Sequence, residues 1–141
     1  MTGPAIREQV DDVAVADATE RCRVLIAEDN SDAAEMLRMM LEYTGHEVRV
    51  ASDGLEAVAL AESFDPQIAL LDIGMPRMDG YEAARRIRDT GSKVVLVALT
   101  GWGQDEDKDR ARDAGFDHHL TKPADPDVLQ RLIADVVRCG R

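Results

Sequence analysis

From Arg23 onward, five short apolar runs alternate with five stretches of helical periodicity, and this alternation leaves very few folds open to the chain. The runs lie at 24–27, 47–51, 68–71, 94–99 and 118–120. Short apolar runs closed by turn residues read as buried strands. The third is the sharpest: Ile68-Ala69-Leu70-Leu71 ends on one carboxylate, Asp72, and Gly74 and Pro76 then turn the chain away. The second alternates polar and apolar residues, as an edge strand does, and the fourth is the most apolar, as an inner strand should be.

The intervening segments carry helix signals. Asn30-Ser31-Asp32 opens the first helix, with Asp32 and Glu35 spaced like a capping box, Met36, Leu37, Met40 and Leu41 as its buried stripe, and Gly45 past its end. Asp53 with Glu56 opens the second, and Asp79-Gly80 the third. The fourth, about 105–114, is almost entirely charged, and only Ala111 and Ala114 are available to face a core. So little burial predicts a helix that is weakly held. Asp125-Pro126 caps the fifth, with Leu129, Leu132, Ile133 and Val136 as its inner stripe. Strict alternation requires a parallel sheet with helices on both faces, and right-handed crossovers prune the topology further. The expectation is a flavodoxin-like (βα)5 doubly wound sheet of strand order 2-1-3-4-5.

One domain suits 141 residues. Residues 1–21 have no strand pattern and begin with Gly3-Pro4; we expect a tail or linker there, with the folded domain at 22–141. A net charge of −11 argues against direct nucleic-acid binding, which needs clustered Lys and Arg. No apolar run approaches the roughly 20 residues that span a bilayer. Cys22 and Cys139 lack metal-ligand spacing and suggest no disulfide framework. A cytoplasmic location is expected from these features.

In a parallel sheet the strand ends share one edge. The residues at those ends are Glu28-Asp29, Asp72, Thr100 and Lys122. Three carboxylates, one hydroxyl and one amine should therefore converge on one crevice. Carboxylates packed together repel, and a divalent cation relieves the repulsion. All-oxygen ligands suit Mg²⁺. A site with Mg²⁺, a lysine and a hydroxyl is built to hold a phosphoryl group, with one carboxylate as nucleophile. Asp72 is the best candidate, because it stands alone at the central strand end.

These motifs together, Glu28-Asp29, Asp72 with Met75-Pro76 and Asp79-Gly80, Thr100 and Lys122-Pro123, resemble the receiver domain of two-component response regulators, from about Arg23 to Arg138. The 72–76 and 100–104 stretches are also similar to receivers of hybrid sensor kinases. The resemblance implies that Asp72 accepts phosphate from a histidine kinase or histidine phosphotransfer protein. It implies that Asp29 and Asp72 bind Mg²⁺ directly, Glu28 mainly through water, and Gly74 through its backbone carbonyl. Lys122 would pair with the phosphate or with resting Asp72, and Thr100 would bond the phosphate and draw its loop inward. His119 stands three residues before Lys122, where the family usually has a Tyr or Phe switch; an imidazole can swing as a ring does but can also be charged. Gly74 and Trp102 occupy positions that tune phosphoryl lifetime in the family, and predict slow hydrolysis. Output would pass to a partner, or to a second copy, through the fourth helix, fifth strand and fifth helix.

The competing reading is a degenerate receiver that serves as an unphosphorylated interaction module; the complete residue set argues against it. An aspartyl phosphohydrolase would carry a second Asp where Gly74 stands, and no G-x-x-x-x-G-K-[ST] nucleotide loop occurs.

Overall fold

The computed structural model describes residues 21–101 and 108–138. In chain order the elements are β1 (Arg23–Ala27), α1 (Ser31–Tyr43), β2 (Glu47–Ala51), α2 (Gly54–Ser63), β3 (Ile68–Asp72), α3 (Gly80–Asp89), β4 (Val95–Thr100), α4 (Lys108–Ala114), β5 (His118–Thr121) and α5 (Pro126–Arg138). The strands form one parallel sheet of order β2-β1-β3-β4-β5, as the alternation required. The chain thus has the expected flavodoxin-like architecture.

Successive residues on a strand face opposite sides of a sheet, so each inner strand supplies two cores at once. Leu25, Ala27, Ala69, Leu71, Leu96 and Ala98 pack with Ala57 of α2, Ala84 and Ile87 of α3 and Ala114 of α4. Val24, Ile26, Ile68, Leu70, Val97 and Leu99 pack with Leu41 of α1 and Leu129 and Ile133 of α5. Burial on both faces explains why β1, β3 and β4 are continuous apolar runs, while β2 alternates at the edge. Cys22 lies beneath the second core, where burial pushes its thiol up to about 11, against a smaller opposing pull from Arg23. Such a thiol is inert at neutral pH.

Two details of α1 differ from expectation. Its cap is Asn30, whose Oδ1 accepts from the Ala33 amide at 3.0 Å, so the Asp32–Glu35 box does not form. The helix begins one residue before Asp32, and Glu35 instead accepts from Arg38 Nε at 3.0 Å. Met36, expected in the buried stripe, is 71% exposed. Ala34, Leu37, Met40 and Leu41 form the inward side, and the 100° step per residue carries Met36 off it.

The other caps fall where the sequence put them. Asp53, Asp79 and Asp125 each accept from backbone amides of the first turn, at 2.8–2.9 Å from Glu56, Glu82 and Asp127. The described part of α4 buries Ala114 and packs Ala111 against the core. A polar grip adds to this: the Arg110 guanidinium lies 4.1 Å from the Tyr81 ring centre and 3.8 Å from Asp79. The segment 1–20, Trp102, the expected start of the fourth helix at Asp105, and Cys139 lie outside the described residues.

The β3–α3 connection rests on α2 at Gly54, where an added Cβ would stand 2.1 Å from the Met78 carbonyl oxygen. At an ordinary helix position Gly→Ala stabilises by roughly 0.5–1 kcal/mol. Here the obstacle is backbone, which reverses the sign, and Gly54→Ala should destabilise by roughly 1–3 kcal/mol. A urea midpoint that stayed level or rose would contradict this packing.

Candidate functional site

β3 carries Asp72 to the carboxyl edge of the sheet, where the residue is 4% exposed and its side chain is held from two sides. The Gly74 amide donates to Asp72 Oδ1 at 3.0 Å. The chain returns immediately behind it: a Cβ on Gly80 would lie 2.7 Å from the Asp72 carbonyl oxygen, so only glycine fits. Glu28 follows β1 and is 2% exposed. Its amide donates to Ala51 O, and its Oε2 accepts from the Asn30 amide, both at 3.0 Å. Asp29, the next residue, is exposed. Lys122 follows β5, joined to Pro123 by a cis peptide bond. Its Nζ reaches back across the edge and donates to Glu28 Oε1 and to Asp72 Oδ2, each at 3.0 Å.

The electrostatics follow from burial. Desolvation raises the Glu28 carboxyl above its ordinary range, and neighbouring Asp72 adds to the rise; bonds from Lys122 and the Asn30 amide oppose it. Burial pulls the Lys122 ammonium down, but its two carboxylate partners outweigh that and raise it. One cation thus stands against two buried anions, with a third carboxylate beside them. The triad Glu28, Asp29 and Asp72 brings one oxygen each within 4.8 Å of the others. Adjacent oxygens of an octahedral Mg²⁺ are about 3.0 Å apart and opposite ones about 4.2 Å. A small side-chain adjustment or one intervening water spans the difference, so the donor set fits a hard cation that keeps part of its water shell.

Thr100 ends β4, buried at the same edge, with its Oγ1 donating to Leu120 O at 3.4 Å rather than to the carboxylates. The edge is completed by the Lys122 amide, which donates to Thr100 O at 2.7 Å. His119 pairs in register with Ala98 and is exposed on the outer strand. The sequence therefore located the three carboxylates, the amine and the hydroxyl correctly at one edge. It did not foresee that Lys122 holds Glu28 as closely as Asp72. Nor did it foresee that Asp53, read only as a cap, also takes a guanidinium from Arg77. Arg77 is an isolated loop arginine with no sequence pattern to mark it.

Between α1 and the β5–α5 connection runs a groove of about 400 Å³. Ala33, Met36, Leu37, Met40, Pro123 and Pro126 give it an apolar wall, and Glu28 and Lys122 also line it.

Residues 24–134 match the family model described as the response regulator receiver domain. This chain belongs to that family. The receiver is 36% identical over 112 residues to the response regulator MprA of Mycobacterium sp. (strain KMS), across 79% of this chain and 47% of that protein. It thus spans about half the length of that curated relative. Among solved structures, the Francisella response regulator 1452 receiver domain covers 86% of this chain and all of its own, at a TM-score of 0.78 and 26% identity. A co-crystal structure of the Saccharomyces cerevisiae histidine phosphotransfer signaling protein Ypd1 with the receiver domain of its downstream response regulator Ssk1 also matches. That likeness has a TM-score of 0.76 and 31% identity, over 84% of this chain and 90% of the other. No helix among the described residues is long and apolar enough to cross a membrane.

Ligation by this triad predicts that Mg²⁺ raises the melting temperature. At ten times its dissociation constant the gain should be about 1.4 kcal/mol. Metal binds the deprotonated carboxylates, so protons compete with it as pH falls. Because Glu28 is raised, its competition begins at higher pH than for a surface glutamate. Melting curves with and without Mg²⁺ across acidic to neutral pH should show the shift shrinking toward acid, and Asp29→Asn should reduce it at every pH.

Proposed function

We propose that this receiver is a phosphorylatable switch of a two-component system or phosphorelay. It takes a phosphoryl group from the phosphohistidine of a histidine kinase or histidine phosphotransfer protein onto Asp72. A carboxylate oxygen of Asp72 attacks phosphorus, the P–N bond to the donor imidazole breaks, and the imidazole leaves with the electron pair and is protonated. The product is an acyl phosphate on Asp72. The observation that carries this reading is the single ammonium of Lys122, 3.0 Å from both buried carboxylates at the edge of the sheet.

Lys122 can exchange its bond to Asp72 for one to a phosphoryl oxygen without leaving Glu28. Mg²⁺, held by Asp29, Asp72 and the Gly74 carbonyl with Glu28 acting through water, would neutralise charge on the transferring oxygens. Thr100 would turn its hydroxyl from Leu120 O toward the phosphoryl group and draw its loop with it. His119, exposed on β5, would sit on the face that signals the change to a partner or a second copy of the chain. Gly74 has no side chain with which to orient an attacking water, which supports slow loss of the phosphoryl group.

The partner reading draws on the yeast complex and on the apolar groove beside Lys122. Methionine-rich apolar surface next to a reactive edge suits a helical partner that must bring its histidine close. The net charge of −11 speaks against nucleic acid as the direct partner. We place the protein in the cytoplasm, where kinases of this type present their phosphohistidine.

Incubation with a small acyl phosphodonor and Mg²⁺ tests the chemistry. Mass spectrometry should find one added phosphoryl group, lost in Asp72→Asn and when Mg²⁺ is chelated. An unmodified chain under these conditions would favour the interaction-module reading instead. In Lys122→Met the gain should fall steeply, because the buried carboxylates lose their compensating charge.

A further inference from the structure

The β3–α3 connection, residues 73–79, carries Gly74, and its near end is fixed to the sheet. The Ile73 amide donates to Leu99 O and the Gly80 amide returns to Ile73 O, each at 3.2 Å. The far side of the connection leans on the start of α2. There Arg77 adopts a left-handed backbone, φ 64°, which a residue with a side chain rarely holds without an anchor. The anchor is Asp53. Arg77 Nε donates to Asp53 Oδ2 at 2.9 Å, and Nη2 donates to the same oxygen. The other oxygen, Oδ1, caps α2 through the Glu56 amide at 2.8 Å. One residue further, Gly54 lets the Met78 carbonyl close in on α2. Two adjacent contacts thus clasp one loop to one helix start.

The clasp is asymmetric. The Asp53 side chain is 8% exposed and that of Arg77 65%. Mostly exposed ion pairs contribute little to stability. What a guanidinium with two donors on one buried carboxylate provides is a fixed orientation. If the anchor is removed, Arg77 can return to an ordinary backbone conformation. The peptide planes on either side of it, back toward Gly74, then rotate.

We propose that Asp53 and Arg77 are positioning residues for the metal. They hold the 73–79 connection so that the Gly74 backbone carbonyl keeps its place in register with the three carboxylates. Neither side chain touches the metal or the phosphoryl group; both act through the loop backbone. The inference rests on the functional reading above, in which the Gly74 carbonyl is a ligand.

Calorimetric titration of the full chain with Mg²⁺, without any phosphodonor, tests it. Arg77→Ala removes the exposed partner. Asp53→Asn keeps an acceptor for the Glu56 amide, so it removes the charge and not the cap. Each should weaken Mg²⁺ binding about 10-fold, as loss of an outer orienting group does. The double variant should be no weaker than either single one, because both break one clasp. Arg85→Ala, an exposed arginine beside Glu82, should bind as the unaltered chain does. Melting without Mg²⁺ should barely move for Arg77→Ala, which separates positioning from support of the fold. If Arg77→Ala binds Mg²⁺ as tightly as the unaltered chain, or if the two losses add, the clasp is overturned while the functional reading stands. If the unaltered chain itself takes up no Mg²⁺, both fall.

Discussion

Burying like charges side by side is the constraint on which this structure turns. Glu28 and Asp72 are both nearly sealed from water, with Asp29 beside them, and among the described residues only Lys122 is seen to donate a side-chain cation to them. One ammonium cannot neutralise three carboxylates. Among the described residues the edge of the sheet therefore holds more negative than positive charge, and this imbalance is the feature from which the metal and phosphoryl proposals start. A fully paired site would be more stable and chemically idle.

The rest of the fold serves to hold that arrangement still. Parallel strands deliver their carboxyl ends to one line, so residues 44 to 94 positions apart in sequence become neighbours: Asp72 lies 44 after Glu28, and Lys122 lies 94 after it. Both faces of β1, β3 and β4 are packed, which leaves those strands no room to slide. The helix caps at Asn30, Asp53, Asp79 and Asp125 all follow strand ends, so polar side chains that terminate local structure line the same edge as the chemistry.

Most of this was legible in the sequence because periodicity and strand-end position are local facts that the topology then makes global. An apolar run followed by an acid says where that acid goes once the sheet is known to be parallel. What escaped has physical reasons too. Asn30 and Asp32 are equally good caps by composition, and only the backbone decides between them. Met36 was assigned to the core because its neighbours belong there, whereas a rotation of one residue step exposes it. The Thr100 hydroxyl faces Leu120 O rather than the carboxylates, a choice of rotamer that no spacing encodes. The Asp53–Arg77 pair joins two loops 24 residues apart through a flexible side chain, which leaves no periodic trace.

The attachment of α4 carries one more consequence. Every other described helix but this one presents bulky aliphatic or aromatic side chains to a core; α4 offers two alanines and the grip of Arg110 on Tyr81 and Asp79. Oil-like contacts have no charge for dissolved ions to screen, while a half-exposed guanidinium has one. Ionic strength therefore acts unevenly on the helices, weakening the hold on α4 more than the aliphatic packing of the others. How firmly this short helix sits should then vary with the electrolyte around it.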